Sequence, residues 1–340
     1  MWMCTLSLAL AAPEPSEEEL RFARFASRFE ALGPLPERGA GYHATGELWG
    51  EIARVVQGHP GIFEPEHIGN SVDGQPIWAV RAEPVDGPAR IEVVVVAQLH
   101  ALEFVSAEVA LSLLQTWAEH PPRGVAMTVV PVANPDGRWR VEQDLRSGAP
   151  KDTYRRANSE LVDLNRDYAV HREPDTWLWP RLPITRGFYE VSPAPLSQPE
   201  TQAIAALLDR IQPDDVVDLH APGGYILVPW AGRYERSPEY AQLMEKATAM
   251  QEAMPGRPYR AMQLCHWTRT FRALGALIDH AHASGSDAFL VELGTLGARQ
   301  LGQDKFRYYN PKDVERVVAD GTAAVMGLVR FEEGRARGLE

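Results

Sequence analysis

The sequence predicts a single α/β domain, a sheet covered by helices on both faces. Apolar runs of strand length alternate with segments of helical periodicity, the pattern of buried strands joined by helices. The clearest run, Ile91-Glu92-Val93-Val94-Val95-Val96-Ala97-Gln98-Leu99, empties into His100-Ala101-Leu102-Glu103. Two further runs end in groups of the same kind, Val216–His220 in a histidine and Ala288–Glu292 in a carboxylate. Sites of open α/β sheets gather at the carboxyl ends of strands, where all three groups fall.

Each element has its own signal. Ser16 to Glu30 has acidic residues in its first turn and apolar ones at helical spacing, which predicts a short helix. A Gly/Pro-rich joint, Gly33 to Gly41, separates it from a second helix over Thr45 to Gln57. Ser71-Val72-Asp73-Gly74 has hairpin chemistry, with Ile77 to Val80 as the return strand. The Val-rich strand at 93–97 is followed by a helix through Ala107 to Ala118 and a buried strand over Met127 to Val132. From Asn134 to Leu196 the periodicity fades and Pro, Gly, Arg, Asp and Trp dominate, so a long irregular, functional stretch is expected. Beyond it lie a helix (Gln198–Arg210), strands (Asp214–His220 and Tyr225–Val228), a helix (Glu239–Ala253), the last buried strand (Ala288–Leu293) and a closing helix (Pro311–Phe331). There is no internal repeat.

Composition narrows the function. The 340 residues are 45% hydrophobic and 24% charged, ample for a sizeable core. A net charge of −12, with nothing to suggest a basic face that would neutralise phosphates, argues against a nucleic-acid partner. There are two cysteines, Cys4 and Cys265, and a chain processed at its N-terminus keeps the second alone. A disulfide framework and a Cys-rich metal site are thereby excluded. Met1 to Ala12 is uncharged and mostly apolar, and Ala9-Leu10-Ala11 resembles a signal-peptidase site, although a basic start is missing. A secreted or periplasmic location is expected. No other stretch reaches the roughly 18 apolar residues that a membrane span needs.

His100 and Glu103 give a tetrahedral metal two ligands and leave it short of a third and a water. Strand alternation puts Asp218 and His220 on one face, so His220 points where a strand-end ligand belongs. Glu292 closes an apolar strand and is costly to bury without a partner. The irregular stretch adds Tyr154-Arg155-Arg156 and Asp163-Leu164-Asn165-Arg166.

The ordered set HALE (100–103), NPDG (134–137), YRR (154–156), DLNRD (163–167), SQPET (197–201), LHAPGGYILVPW (219–230) and VELGT (291–295) resembles the zinc metallocarboxypeptidases of the carboxypeptidase A type. The resemblance runs from about Thr45 to Leu328 and implies a mixed, twisted eight-stranded sheet sandwiched between helices. It divides the chain into a leader (1–12), an N-terminal helical extension (13–44) and a catalytic domain (45–335). It implies one Zn2+ held by His100, Glu103 and His220, the His₂Glu set that defines the family's type enzyme. Glu292 matches the general base and Arg155 the arginine facing the developing oxyanion, with Arg156 next door leaving the register open. Asn165 and Arg166 match the pair that grips a substrate's terminal carboxylate, for which a planar guanidinium is suited. Asp163 is placed to orient His100.

The departures bear on substrate. Phe271 falls where the family carries a mobile tyrosine, and can close over a ligand without hydrogen-bonding it. Leu102 stands where digestive members place an arginine. Ile278 matches the position that sets side-chain preference and implies apolar or aromatic C-terminal residues. His280-Ala281-His282 is a rival metal pair if it lies on a strand, and His171 a candidate cleft residue; core or loop histidines are the simpler reading, and Cys265 is a small buried residue. The implied activity is removal of C-terminal residues from peptides with a free C-terminus. Cleavage of a γ-D-Glu–diaminopimelate bond in murein peptides, or deacylation of small N-acyl amino acids, uses the same fold. An inactive scaffold conflicts with a complete ligand set, base and arginines.

Overall fold

Ser16 opens the first helix, α1 (Glu17–Ser27). Its Oγ accepts from Glu19 N at 3.1 Å while its own N donates to Glu19 Oε2, a reciprocal capping box. The structure is a computed structural model that describes residues 15–28, 32–175, 191–267, 271–295 and 304–338; the apolar leader at 1–12 lies outside them. Phe22 and Phe25 of α1 pack on Trp49 and Trp78 with ring centroids 5.1–5.9 Å apart, which fixes the helix to the body. The helix α2 (Thr45–Gly58) leads into the hairpin of β1 (Phe63–Asn70) and β2 (Pro76–Ala82), closed by Ser71 N donating to Gln75 O at 2.8 Å.

The Val-rich run forms β3 (Ile91–Ala97), followed by α3 (Phe104–Glu119) and β4 (Val125–Val130). The stretch expected to be irregular instead opens with a helix, α4 (Pro135–Arg146). Asn134-Pro135-Asp136-Gly137 has turn composition, but Asn134 Oδ1 accepts from Gly137 N at 2.9 Å and Pro135 occupies the first turn, so the same residues start a helix. Among the described residues up to α5, irregular chain follows, apart from one 3₁₀ turn at Leu164–Arg166; residues 176–190 of the expected stretch lie outside them. Then come α5 (Pro199–Ile211), β5 (Asp215–His220), β6 (Tyr225–Val228), α6 (Tyr240–Glu252), β7 (Arg260–Gln263), α7 (Leu277–Ala283), β8 (Asp287–Glu292), α8 (Lys305–Tyr309) and α9 (Val314–Arg337).

The eight strands form one mixed sheet in the order β1-β2-β4-β3-β5-β8-β6-β7. Its centre, β4-β3-β5-β8, is parallel, and β2 and β6 run antiparallel to it. Val93 and Val95 face a core shared with α2, α3, α6 and α9, while Val94 and Val96 face one shared with α5 and α7. Burial on both faces is why the run has no polar alternation. At the foot of the sheet Asp215 and Asp287, the first residues of β5 and β8, both reach Lys246 Nζ of α6, at 2.6 and 2.7 Å. Glu332 of α9 joins them at 2.8 Å. The other ends of the same two strands carry His220 and Glu292.

Candidate active site

His100 lies three residues beyond β3, in the turn that starts α3. Its Nδ1 is 2.9 Å from Glu103 Oε1 and 2.8 Å from His220 Nδ1, and His220 Nδ1 is 2.9 Å from Glu103 Oε2. All three side chains are buried. Ala221 N donates to Glu103 Oε2 at 3.0 Å and fixes the carboxylate. The opposite ring nitrogens meet carboxylates: His100 Nε2 lies 3.1 Å from Asp163 Oδ1, and His220 Nε2 lies 2.8 Å from Asp218 Oδ2. This network puts the ring hydrogens on Nε2. Once Nδ1 of each ring gives up any proton, two lone pairs and a carboxylate converge, which is the donor set of a divalent cation. The group fits a zinc ion. Acid competes for the same lone pairs: despite burial, Asp218 and Glu103 hold a proton on His220 well above its ordinary range.

Glu292 sits beside this set because β5 and β8 pair in register, His220 opposite Glu292. Burial and the Glu103 carboxylate push the Glu292 carboxyl up to about 8, against the pull of His220 and Arg156. Gly223 lets the chain cross this point, since a Cβ there would lie 2.5 Å from Glu292 Cβ.

Arg155 is not in the site, contrary to its expected place facing an oxyanion. It is 42% exposed and binds Asp144 of α4, Nε to Oδ2 at 2.7 Å. The Arg156 carbonyl accepts from Ala101 N at 3.0 Å, which lays this extended segment along the metal turn. Neighbouring side chains of an extended segment point opposite ways, so Arg156 enters the cleft and Arg155 turns to α4. Arg156 Nε donates to Asp163 Oδ2 at 2.7 Å, and its Nη1 is 3.8 Å from Glu103 Oε1. Burial opposes its charge, but Asp163 more than restores it and raises its pKa.

Arg166 lines the cleft, its Nη1 donating to Asn165 O at 2.6 Å. Asn165 also lines it, with its amide engaged on the protein: Oδ1 accepts from Leu277 N at 2.8 Å and Nδ2 donates to Asp218 Oδ2 at 3.1 Å. Phe271 stands in the wall, edge-on to Trp267 at 5.4 Å. Ile278, expected to set side-chain preference, is fully buried on α7 in the core shared with α5 and does not line the cleft. The apolar wall is built instead by Leu227, Leu264, Ala273 and Leu290, with Tyr225 and Trp267. These come from two strands, β6 and β8, and the connection between β7 and α7, so no local pattern marks them; the alternation of β6 and β8 points at Leu227 and Leu290 only once the sheet order is known. The cleft holds about 70 Å³.

Other candidates fall elsewhere. Leu102 packs in the core, and its carbonyl accepts from Asn310 Nδ2 at 2.7 Å. His280 and His282 lie on α7, where residues two apart diverge by about 200°, so they form no metal pair. His282 Nδ1 bonds Ser286 O at 2.9 Å, His171 Nδ1 meets Asp279 at 2.7 Å, and Cys265 is buried. Among the described residues no helix is long and apolar enough to cross a membrane, and His100, Glu103 and His220 form the one metal-competent cluster.

Known proteins resemble this chain in sequence and in fold. The chain is 27% identical over 210 residues to the uncharacterised protein YqgT of Bacillus subtilis (strain 168), covering 54% of each. It is 22% identical over 295 residues to human carboxypeptidase B2, covering 79% of this chain and 66% of that protein. The chain thus spans about half to two thirds of the length of these relatives. In fold it is similar to bovine thrombin-activatable fibrinolysis inhibitor, solved with a tick carboxypeptidase inhibitor, at a TM-score of 0.68 and 20% identity over 85% of this chain and 97% of that one. It is likewise similar to carboxypeptidase A from Helicoverpa armigera, at 0.67 and 17% identity over 94% and 81%. The zinc carboxypeptidase model, peptidase family M14, matches residues 50–306, and the chain belongs to that family.

Proposed function

We propose that this protein is a zinc-dependent carboxypeptidase that removes apolar or aromatic C-terminal residues from peptides. The observation that carries the proposal is the convergence of His100 Nδ1, His220 Nδ1 and a Glu103 oxygen beside Glu292. Zinc, when bound by these three, supplies a Lewis acid that polarises a carbonyl and lowers the pKa of water toward about 7. Glu292 takes the proton of the attacking water and passes it to the leaving amine. Arg156, not Arg155, faces the developing oxyanion; Asp163 holds the guanidinium charged and oriented. Arg166 receives the terminal carboxylate, its planar fork matching two oxygens. The uncharged wall of Leu227, Leu264, Ala273 and Leu290 takes the side chain and offers nothing to a basic one. Phe271 closes over it by contact alone.

We place the protein outside the cytoplasm on the apolar run Met1–Ala12 and the Ala9-Leu10-Ala11 sequence. The mass of the mature N-terminus checks this.

The test is a substrate panel on the purified protein: peptides ending in Phe, Leu, Arg or Lys, with γ-D-Glu–diaminopimelate tripeptide alongside. Release of Phe and Leu is expected. Cleavage of the murein tripeptide alone would assign a cell-wall amidase instead. Glu292→Gln should lower kcat by about 10²–10⁴-fold while metal content stays the same; undiminished turnover would remove Glu292 from its role.

A further inference from the structure

Asp218 is a fully buried carboxylate, and its two hydrogen-bonding partners both belong to the active site. Its Oδ2 lies 2.8 Å from His220 Nε2 and accepts from Asn165 Nδ2 at 3.1 Å, while Oδ1 has no partner among the described residues. Two other buried aspartates of this chain hold backbone. Asp167 accepts from Ser197 N, Gln198 N and two hydroxyls and so ties the irregular stretch to the start of α5. Asp279 accepts from Ala231 N and Gly232 N and pins a loop. Asp218 holds no backbone. Buried Asp215 and Asp320 also leave one oxygen without a partner, but they pair with Lys246 and Arg316 away from the site. What points Asp218 to a role there is that both its partners, His220 and Asn165, belong to the site.

The support continues outward. Asn165 Oδ1 accepts from Leu277 N at the start of α7, so the amide that grips Asp218 is itself fixed. The residue two positions before Asn165 supports the other imidazole: Asp163 accepts from Asn165 N at 3.0 Å and meets His100 Nε2. One short turn, Asp163-Leu164-Asn165, therefore braces both histidines: Asp163 meets His100, and Asn165 Nδ2 lies 2.9 Å from His220 Nε2 as well as 3.1 Å from Asp218 Oδ2.

We infer that Asp218 is a positioning residue for the metal, which fixes the tautomer and tilt of His220 so that Nδ1 presents its lone pair beside Glu103. The inference rests on the metal reading above. Asn165, on this geometry, braces the His220–Asp218 pair and acts not chiefly on a substrate carboxylate.

The experiment measures Zn2+ affinity of the full chain by competition with a chromogenic chelator, together with the visible spectrum of the Co2+-substituted protein and the melting midpoint of the metal-free form. Asp218→Ala and the near-isosteric Asp218→Asn should each weaken zinc binding, within the 10–100-fold range typical for such outer partners. The cobalt bands should shift, and the metal-free midpoint should hold or rise. Asp167→Asn is the structural control, expected to lower the midpoint with zinc affinity unchanged. Zinc affinity within twofold of wild type in both Asp218 variants would overturn the inference. His220→Ala separates the two claims: if it binds zinc like wild type, the metal reading itself fails, whereas loss there with intact Asp218 variants removes Asp218 alone.

Discussion

Arg155 and Arg156 differ by one position and by everything that matters chemically. One guanidinium is in solvent against Asp144; the other is wedged between Asp163 and Glu103 at the mouth of the cleft. An exposed ion pair is worth at most about 1 kcal/mol, so Arg155→Ala should leave kcat/KM within about twofold of wild type. Arg156→Ala removes preorganised positive charge and should cost about 10²–10³-fold in kcat. Steady-state kinetics of the two variants decides, and the reverse order would return the role to Arg155. The ambiguity had a physical origin. In an irregular segment no periodicity tells which of two adjacent side chains faces in, and the decision is made by one tertiary hydrogen bond, Ala101 N to Arg156 O.

At the scale of elements, the strands that carry the ligands were legible because buried parallel strands are written as unbroken apolar runs, and His220 and Glu292 interrupt those runs at their ends. The helices α4 and α7 were not. Asn-Pro-Asp-Gly obeys the rules of a turn and of a helix start alike, and the short α7 is held mainly by packing against β5 and β8, information that lies far away in sequence. Ile278 was misplaced for that reason. The extension before Thr45 is part of the body: α1 is fastened by its aromatic contacts and contributes nothing to the cleft lining. Phe22→Ala should destabilise by about 3–5 kcal/mol, seen as a lower urea midpoint, with no change in KM. The joint between extension and body has its own pH dependence. A hydrogen bond with Glu108 of α3, set against partial burial, raises the His43 pKa above 6.5. A raised folded pKa contributes stability that is complete below about 6.5, the unfolded value, and is lost as pH rises through the folded one. Unfolding curves of wild type and His43→Gln should therefore differ most on the acid side of that window and converge above it; parallel curves would show that the pair has no such effect.

For the molecule as a whole, metal and fold are linked. Three buried donors assembled from β3, α3 and β5 bind a cation only when those elements are in place, so binding adds to stability by mass action. Zinc at about a thousandfold excess over its dissociation constant should add about 4 kcal/mol, and chelation should lower the melting midpoint by several degrees. A midpoint indifferent to chelator would mean that the three side chains hold no ion in the folded protein. The sheet that makes this linkage possible also separates two tasks. Lys246 ties the first residues of β5 and β8 together, and a continuous ladder carries that tie to His220 and Glu292 at their far ends. The gap between Glu292 and the proposed metal ligand His220 is therefore gauged by hydrogen-bonded backbone, like the jaws of a vice set from below. Connections above the sheet are free to be exchanged, and appetite for a different side chain can evolve without recutting the tool that breaks the bond.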